Sequence, residues 1–183
     1  GRELPHRYML GLYEVLERIF TPRPHILLET CSSGGNRFDL GMLCYSPQIW
    51  SSDDTDPIER LSIQKGLSYF YPPCTMGAHV SQSPHQQTLR QTPLSTRFNV
   101  AAFGVLGYEL DLGELSPQEK KQVAAQIEWY KKYRPTLQYG DFFRVPTRRQ
   151  GLVSWAAVAP DKKQAVVLLA QRLCTAAPPA VSY

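Results

Sequence analysis

Hydrophobic and polar residues along positions 1–135 follow helical and strand spacing in turn. From His6 to Phe20, apolar residues recur every three or four positions, which predicts an amphipathic helix that the Pro-rich segment 21–24 ends. Runs with the length and composition of short strands lie at 25–30, 48–50, 77–81 and 108–112. The alternation of helices with such runs predicts a parallel sheet.

Capping signals place three further helices. One residue of the segment Asp54–Asp56 is expected to cap a helix that runs from Pro57 to about Lys65, with Gly66 as its C-cap. A second helix is expected over 97–106. The capping box Ser116-Pro-Gln-Glu119 predicts a third helix, which Pro135 is expected to end.

The pattern changes at residue 136, where short β-rich runs between turn residues replace the helices. We therefore expect an α/β fold in two parts. Residues 1–135 form the C-terminal half of a (β/α)8 barrel, and residues 136–183 begin an antiparallel β-sandwich domain that is cut short at its C-terminus.

Composition narrows the classes of function. The chain is 43% hydrophobic and 20% charged, as is common for globular proteins. Its net charge of +4 comes from scattered basic residues, so nucleic-acid binding is not expected. The four cysteines show no metal-ligand spacing, so no zinc site is expected, and their dispersed positions fit a reducing compartment, the cytoplasm. No apolar run is long enough to cross a membrane.

The residues that carry chemistry follow two of the predicted strands. Cys31 and the Gly34-Gly35 turn follow the first, and Trp50 and Asp53 end the second. In a (β/α)8 barrel the C-terminal ends of the strands line the active site. A sugar-cleaving site needs an aromatic surface for the sugar ring, close approach of the backbone at glycine, and a carboxyl group that exchanges a proton.

Each of these residues also has a structural interpretation. The two glycines could serve only a tight turn, Cys31 could be a small buried residue, and Trp50 could belong to the core. His79 and His85 are better explained as hydrogen-bonded structural groups than as catalysts. The joint order and spacing of the residues favour a site.

Four segments closely resemble glycoside hydrolase family 36, a family of retaining α-galactosidases. Members of that family carry a Cys-Ser-Ser-Gly-Gly-Gly-Arg-Phe-Asp block, a Pro-Gln-x-Trp-Thr-Ser-Asp block, Met-Gly-Ala-His-Val-Ser and Arg-x-Asn-Val-Ala. The matching segments of this chain, in the same order, are 31–39, 47–56, 76–81 and 97–101. Asn36 replaces the third glycine and Ser51 replaces the threonine.

The resemblance implies hydrolysis of terminal α-galactosyl residues, as in melibiose and raffinose, by double displacement. It assigns Asp53 as the acid/base, Cys31 and Gly34 as galactose contacts, and Trp50 as part of the sugar pocket. It implies no cofactor and a homo-oligomeric intact protein. Transfer of galactose to a second sugar, or galactoside binding without cleavage, remain alternatives.

The resemblance also implies a nucleophile that the 183 residues do not provide. The nucleophile of the family lies in a Lys-x-Asp segment, and this chain has none. Asp39 is a poor substitute, because the family carries an aspartate there in addition to its nucleophile. We therefore expect the nucleophile to lie upstream of residue 1, and the isolated chain to be inactive and prone to aggregate.

Overall fold

The structure, a computed structural model, describes residues 1, 3–31 and 39–172. The chain divides into two compact units, Gly1–Asp53 and Asp54–Tyr183. In the part of the chain that is described, no helix is both long and apolar enough to cross a membrane.

The first unit contains one helix and two short parallel strands. Their bounds are α1 Leu4–Phe20, β1 Glu29–Thr30 and β2 Gln48–Trp50, with a 3-10 turn at Met42–Cys44. β1 pairs with β2 in parallel, and the register sets Thr30 opposite Ile49. The predicted strand over 25–30 is therefore wrong in length. Before Glu29, where β1 begins, the backbone forms turns, since Ile26 N–H donates to the carbonyl oxygen of Arg23.

A tyrosine connects α1 to the segment before the 3-10 turn. The Tyr13 hydroxyl donates to Asp39 Oδ1 at 2.6 Å, and the same oxygen accepts from the backbone N–H of Met42 at 3.0 Å. A Cβ at Gly41 would lie 2.4 Å from the Tyr13 oxygen, so this approach requires glycine. The hydrogen bond to Asp39 raises the pKa of Tyr13 to about 12.

The second unit contains three helices, a parallel strand pair and an antiparallel sheet. Their bounds are α2 Pro57–Leu67, β3 Met76–Ser81, α3 Leu94–Ala101, β4 Val105–Glu109, α4 Pro117–Tyr139, β5 Asp141–Val145, β6 Leu152–Val158 and β7 Ala165–Gln171. β3 and β4 are parallel, in register from Gly77 opposite Val105 to Ser81 opposite Glu109. β5, β6 and β7 are antiparallel in that order. The predicted α/β class, with parallel strands followed by an antiparallel sheet, is confirmed.

One hydrophobic core serves the helices and the antiparallel sheet of the second unit. Trp155 of β6 is 1% exposed and packs edge-on against Phe103, with ring centroids 5.8 Å apart. Val80 of β3 and Leu168 of β7 belong to the same cluster. The domain boundary at 135/136 remains a prediction.

Three predicted helix ends are wrong. α2 continues through Gly66, and Ser68 is its C-cap. α3 ends at Ala101, and the chain then turns at Gly104 into β4, which pairs with β3. A Cβ at Gly104 would lie 2.7 Å from the Met76 carbonyl oxygen. α4 passes Pro135 and ends at Tyr139, because burial of Thr136 and Leu137 stabilises the last turn.

Candidate active site

In the first unit, the ends of two parallel strands bring the predicted site residues together. Because Thr30 of β1 lies opposite Ile49 of β2, the next residues, Cys31 and Trp50, occupy neighbouring positions at the same edge. Cys31 is exposed, and Trp50 is half-buried. Gly34, the other predicted galactose contact, lies outside the described residues.

Trp50 is hydrogen-bonded to the predicted acid/base. Its indole Nε1–H donates to Asp53 Oδ1 at 2.8 Å, and the Asp53 side chain is exposed. The indole therefore fixes the direction of the carboxylate. The other carboxylate oxygen, Oδ2, takes no part in this hydrogen bond. The interpretation of Trp50 as core only does not account for this geometry.

The two carboxylates that follow, at the start of the second unit, have structural roles. Asp54 Oδ1 accepts from the backbone N–H of Asp56 at 3.0 Å, which closes a turn. Asp56 is fully buried and caps α2, because its Oδ1 accepts from the backbone N–H of Ile58 at 2.8 Å. The predicted cap in the segment 54–56 is thus Asp56.

An ion pair with the partly exposed Arg90 holds the buried Asp56 carboxylate. Arg90 Nη1 lies 2.7 Å from Asp56 Oδ2, and the Thr88 hydroxyl donates to the same oxygen. Burial by itself would raise the pKa of Asp56, but the hydrogen bonds from Thr88, Arg90 and the Ile58 N–H outweigh it and hold that pKa below its usual value. Asp56 is therefore an anion near neutral pH rather than a proton donor.

His85 is a structural group, as the sequence suggested. It is 2% exposed, and its Nδ1 faces the backbone N–H groups of Gln87 and Thr88 at 3.4 and 3.3 Å. Because Nδ1 accepts, the proton lies on Nε2, which donates to the Thr55 hydroxyl at 2.9 Å. His85 thereby ties the loop 82–93 to the start of α2.

Sequence reasoning missed three side chains that shape these segments. Thr88 and Arg90 lie between predicted elements, and Tyr13 lies in a helix predicted only from its apolar spacing. For a basic residue in a loop after a strand, the sequence does not indicate which of several carboxylates it will contact. Within residues 1, 3–31 and 39–172, no cluster of three His, Cys, Asp or Glu side chains could hold a metal ion.

The family model described as Melibiase matches residues 1–140. The chain therefore belongs to the melibiase family. It is 52% identical over 168 residues to "Alpha-galactosidase 1" of Pediococcus pentosaceus, which covers 91% of this chain and 23% of that protein. It is 46% identical over 183 residues to "Alpha-galactosidase AgaA" of Geobacillus stearothermophilus, all of this chain and 25% of that protein.

Solved structures agree with these relatives. An α-galactosidase from Lactobacillus brevis superposes with a TM-score of 0.93 at 48% identity, covering 99% of this chain and 25% of that one. A variant of the GH36 α-galactosidase AgaA, solved in complex with raffinose, gives a TM-score of 0.92 at 45% identity, over 98% and 25%. The resemblance to family 36 is confirmed, and the chain spans about a quarter of the length of the curated relatives it matches.

Proposed function

We propose that the protein to which this chain belongs is a retaining α-galactosidase that hydrolyses terminal α-galactosyl residues of oligosaccharides. The observation that carries the proposal is the Trp50–Asp53 hydrogen bond beside the end of β2, in a chain of the melibiase family. Related enzymes have been solved with raffinose and with stachyose, which supports these sugars as the substrate class.

The proposal extends to the architecture around the site. Residues 1–135 are proposed to be the C-terminal half of a (β/α)8 barrel, and residues 136–183 the start of a β-sandwich domain. The parallel pairs β1–β2 and β3–β4 and the antiparallel sheet β5–β7 support this division. Homo-oligomerisation and a cytoplasmic location remain predictions.

In the proposed mechanism Asp53 acts twice. The protonated carboxyl group first donates its proton from Oδ2 to the glycosidic oxygen while a second carboxylate attacks the anomeric carbon and forms a galactosyl ester. Asp53, now ionised, then removes a proton from the water that hydrolyses the ester. The nucleophile is proposed to lie on another segment of the protein, because no Lys-x-Asp segment occurs in this chain.

The other proposed residues position the sugar. Trp50 presents an aromatic ring, which can stack on the apolar face of galactose, while its N–H holds Asp53. Cys31 follows the neighbouring strand and is proposed to contact a sugar hydroxyl group. Gly34 is proposed to allow close approach of the backbone.

Replacement of Asp53 tests the assignment. In the intact protein, Asp53→Asn is expected to lower kcat/KM for raffinose about 10²–10⁴-fold, because leaving-group protonation is lost. An aryl α-galactoside with an activated leaving group needs less protonation and should lose less. The matched control is Asp54→Asn, whose amide oxygen can still accept the Asp56 N–H and should leave both activities nearly unchanged. An equal loss for both substrates would show that Asp53 is not the general acid.

A further inference from the structure

The second unit contains a cavity that none of the proposed catalytic or sugar-binding residues lines. Its volume is about 370 Å³, within the usual range of small-molecule sites. The end of α2, strands β5 and β6, and the connection between these two strands form its walls. The lining residues are Lys65, Tyr69, Arg144, Val145, Pro146, Thr147, Leu152, Val153, Ser154 and Trp155.

The cavity is positively charged without compensation. Lys65 and Arg144 are its ionised side chains, and no Asp or Glu of the described residues lines it. Over residues 1, 3–31 and 39–172, neither cation forms a salt bridge with a carboxylate. Two further cations, Arg148 and Arg149, follow Thr147 directly in the sequence. Such a concentration of positive charge attracts anions.

Arg144 is held in a fixed orientation towards the cavity. Its Nη1 donates to the carbonyl oxygen of Ser68 at 2.8 Å and to the Ser68 hydroxyl at 3.0 Å. Its guanidinium carbon lies 4.2 Å from the centroid of the Tyr69 ring. These contacts engage Nη1 and one face of the group, so Nη2 remains to donate to a ligand.

Trp155, one of the lining residues, carries a buried hydrogen-bond donor that lacks an acceptor among the described residues. Trp155 is 1% exposed, and in the described part of the chain its indole Nε1 has no hydrogen-bond partner. Trp155 lies opposite Arg144 in the β5–β6 ladder, so both side chains extend from the same face of the sheet. An unpaired buried N–H is unfavourable, and an acceptor brought within hydrogen-bond distance of it would relieve this cost.

We propose that this cavity binds the phosphate group of a small phosphate monoester, such as a sugar phosphate. Lys65 and Arg144 offer charged donors from two different elements, which suits an oxyanion with several acceptor oxygens. The volume leaves room beside the phosphate for a small organic group, and the Tyr69 ring offers that group an apolar wall.

Calorimetric titration of the intact protein at constant ionic strength tests the proposal. Glucose 6-phosphate should bind saturably and more tightly than inorganic phosphate, while glucose and added chloride should give no saturable heat. Absence of saturable binding by either phosphate would overturn the proposal. Binding of inorganic phosphate as tight as that of glucose 6-phosphate would overturn the assignment to a monoester.

Variants assign the binding to this cavity. Lys65→Gln and Arg144→Gln should each weaken glucose 6-phosphate binding about tenfold or more, since each removes a charge-assisted contact. Lys65 is exposed, so its replacement leaves the fold intact even if that of Arg144 does not. The control Lys131→Gln removes an exposed lysine of α4 and should leave binding unchanged. Equal affinity in Lys65→Gln and Lys131→Gln would contradict the proposed site.

Discussion

At the residue scale, three nearby aspartates have different roles because they have different partners. They are Asp53, Asp54 and Asp56. Asp53 is exposed and hydrogen-bonded to an indole, Asp54 closes a turn, and Asp56 is buried with a cation. The sequence predicted that one of the three would cap a helix, and the resemblance selected Asp53 as the acid/base. Neither the sequence nor the resemblance could show that Trp50 holds Asp53, because a hydrogen bond between side chains depends on the course of the backbone after the strand.

Removal of the indole N–H is the sharpest test of that contact. Trp50→Phe keeps an aromatic face for the sugar but leaves Asp53 without its donor. We expect kcat/KM for raffinose to fall about tenfold, roughly what one charge-assisted hydrogen bond is worth. In an Asp53→Asn background the same change should cost clearly less, because it acts through Asp53. Additive losses in the double variant would mean that Trp50 acts on the sugar alone.

At the scale of elements, four features could be predicted from the sequence. They are β2, the start of α2, the strand at 77–81 and the capping box of α4. They are specified locally, by Pro at the first helical position, by side chains that cap backbone N–H groups and by short apolar runs. The end of α4 could not be predicted from local signals, because the burial of Thr136 and Leu137 decides it. Pro135 lies inside α4 although it removes one helical hydrogen bond and its ring crowds the carbonyl of the preceding turn, because the two residues after it are buried.

The Asp56–Arg90 pair predicts a pH-dependent contribution to stability. Asp56→Asn keeps an acceptor for the Ile58 N–H but removes the charge that faces Arg90. Because Arg90 is 38% exposed, solvent screening limits the expected loss to about 1–2 kcal/mol near neutral pH.

The sign follows from the direction of the pKa shift of Asp56. That pKa lies below its ordinary 3.8 in the folded state, so the contribution is complete above about 4 and is lost as pH falls through the lower folded value. Urea unfolding across this range should show the wild type converging with Asp56→Asn in acid. Glu114→Gln, which removes an exposed carboxylate, is the control. A difference between wild type and Asp56→Asn that stays constant with pH would contradict this account.

Two glycines should respond oppositely to alanine. Gly66 lies inside α2, and a Cβ added there would have no atom within 4 Å, so Gly66→Ala should stabilise the protein by about 0.5–1 kcal/mol. At Gly104 a Cβ would meet the Met76 carbonyl oxygen at 2.7 Å and the Ala78 Cβ at 2.8 Å. Gly104→Ala should therefore destabilise by about 1–3 kcal/mol in denaturant unfolding. Equal effects of the two changes would refute this view of the α3–β4 turn.

At the scale of the whole molecule, the family and the succession of parallel strands and antiparallel sheet were predictable. Motif blocks in the right order specify the family, and a change of hydrophobic period specifies the sheet type. The shared core of the second unit was not predictable. Contacts such as Phe103 with Trp155 join residues about fifty positions apart, and no local pattern encodes them.

Asp53 is proposed to act as the acid/base in a double displacement, and azide chemistry can test this role. An acid/base variant still forms a galactosyl ester from an activated aryl α-galactoside, and azide can attack that ester without base assistance. Two inversions then give α-galactosyl azide.

The measurement is the anomeric configuration of the azide product formed by Asp53→Asn in the intact protein, determined by NMR. We predict that azide restores turnover and that the product is the α-anomer. A β-galactosyl azide would show that azide replaced a missing nucleophile. Asp53 would then be the nucleophile, and the proposed division of roles would be wrong.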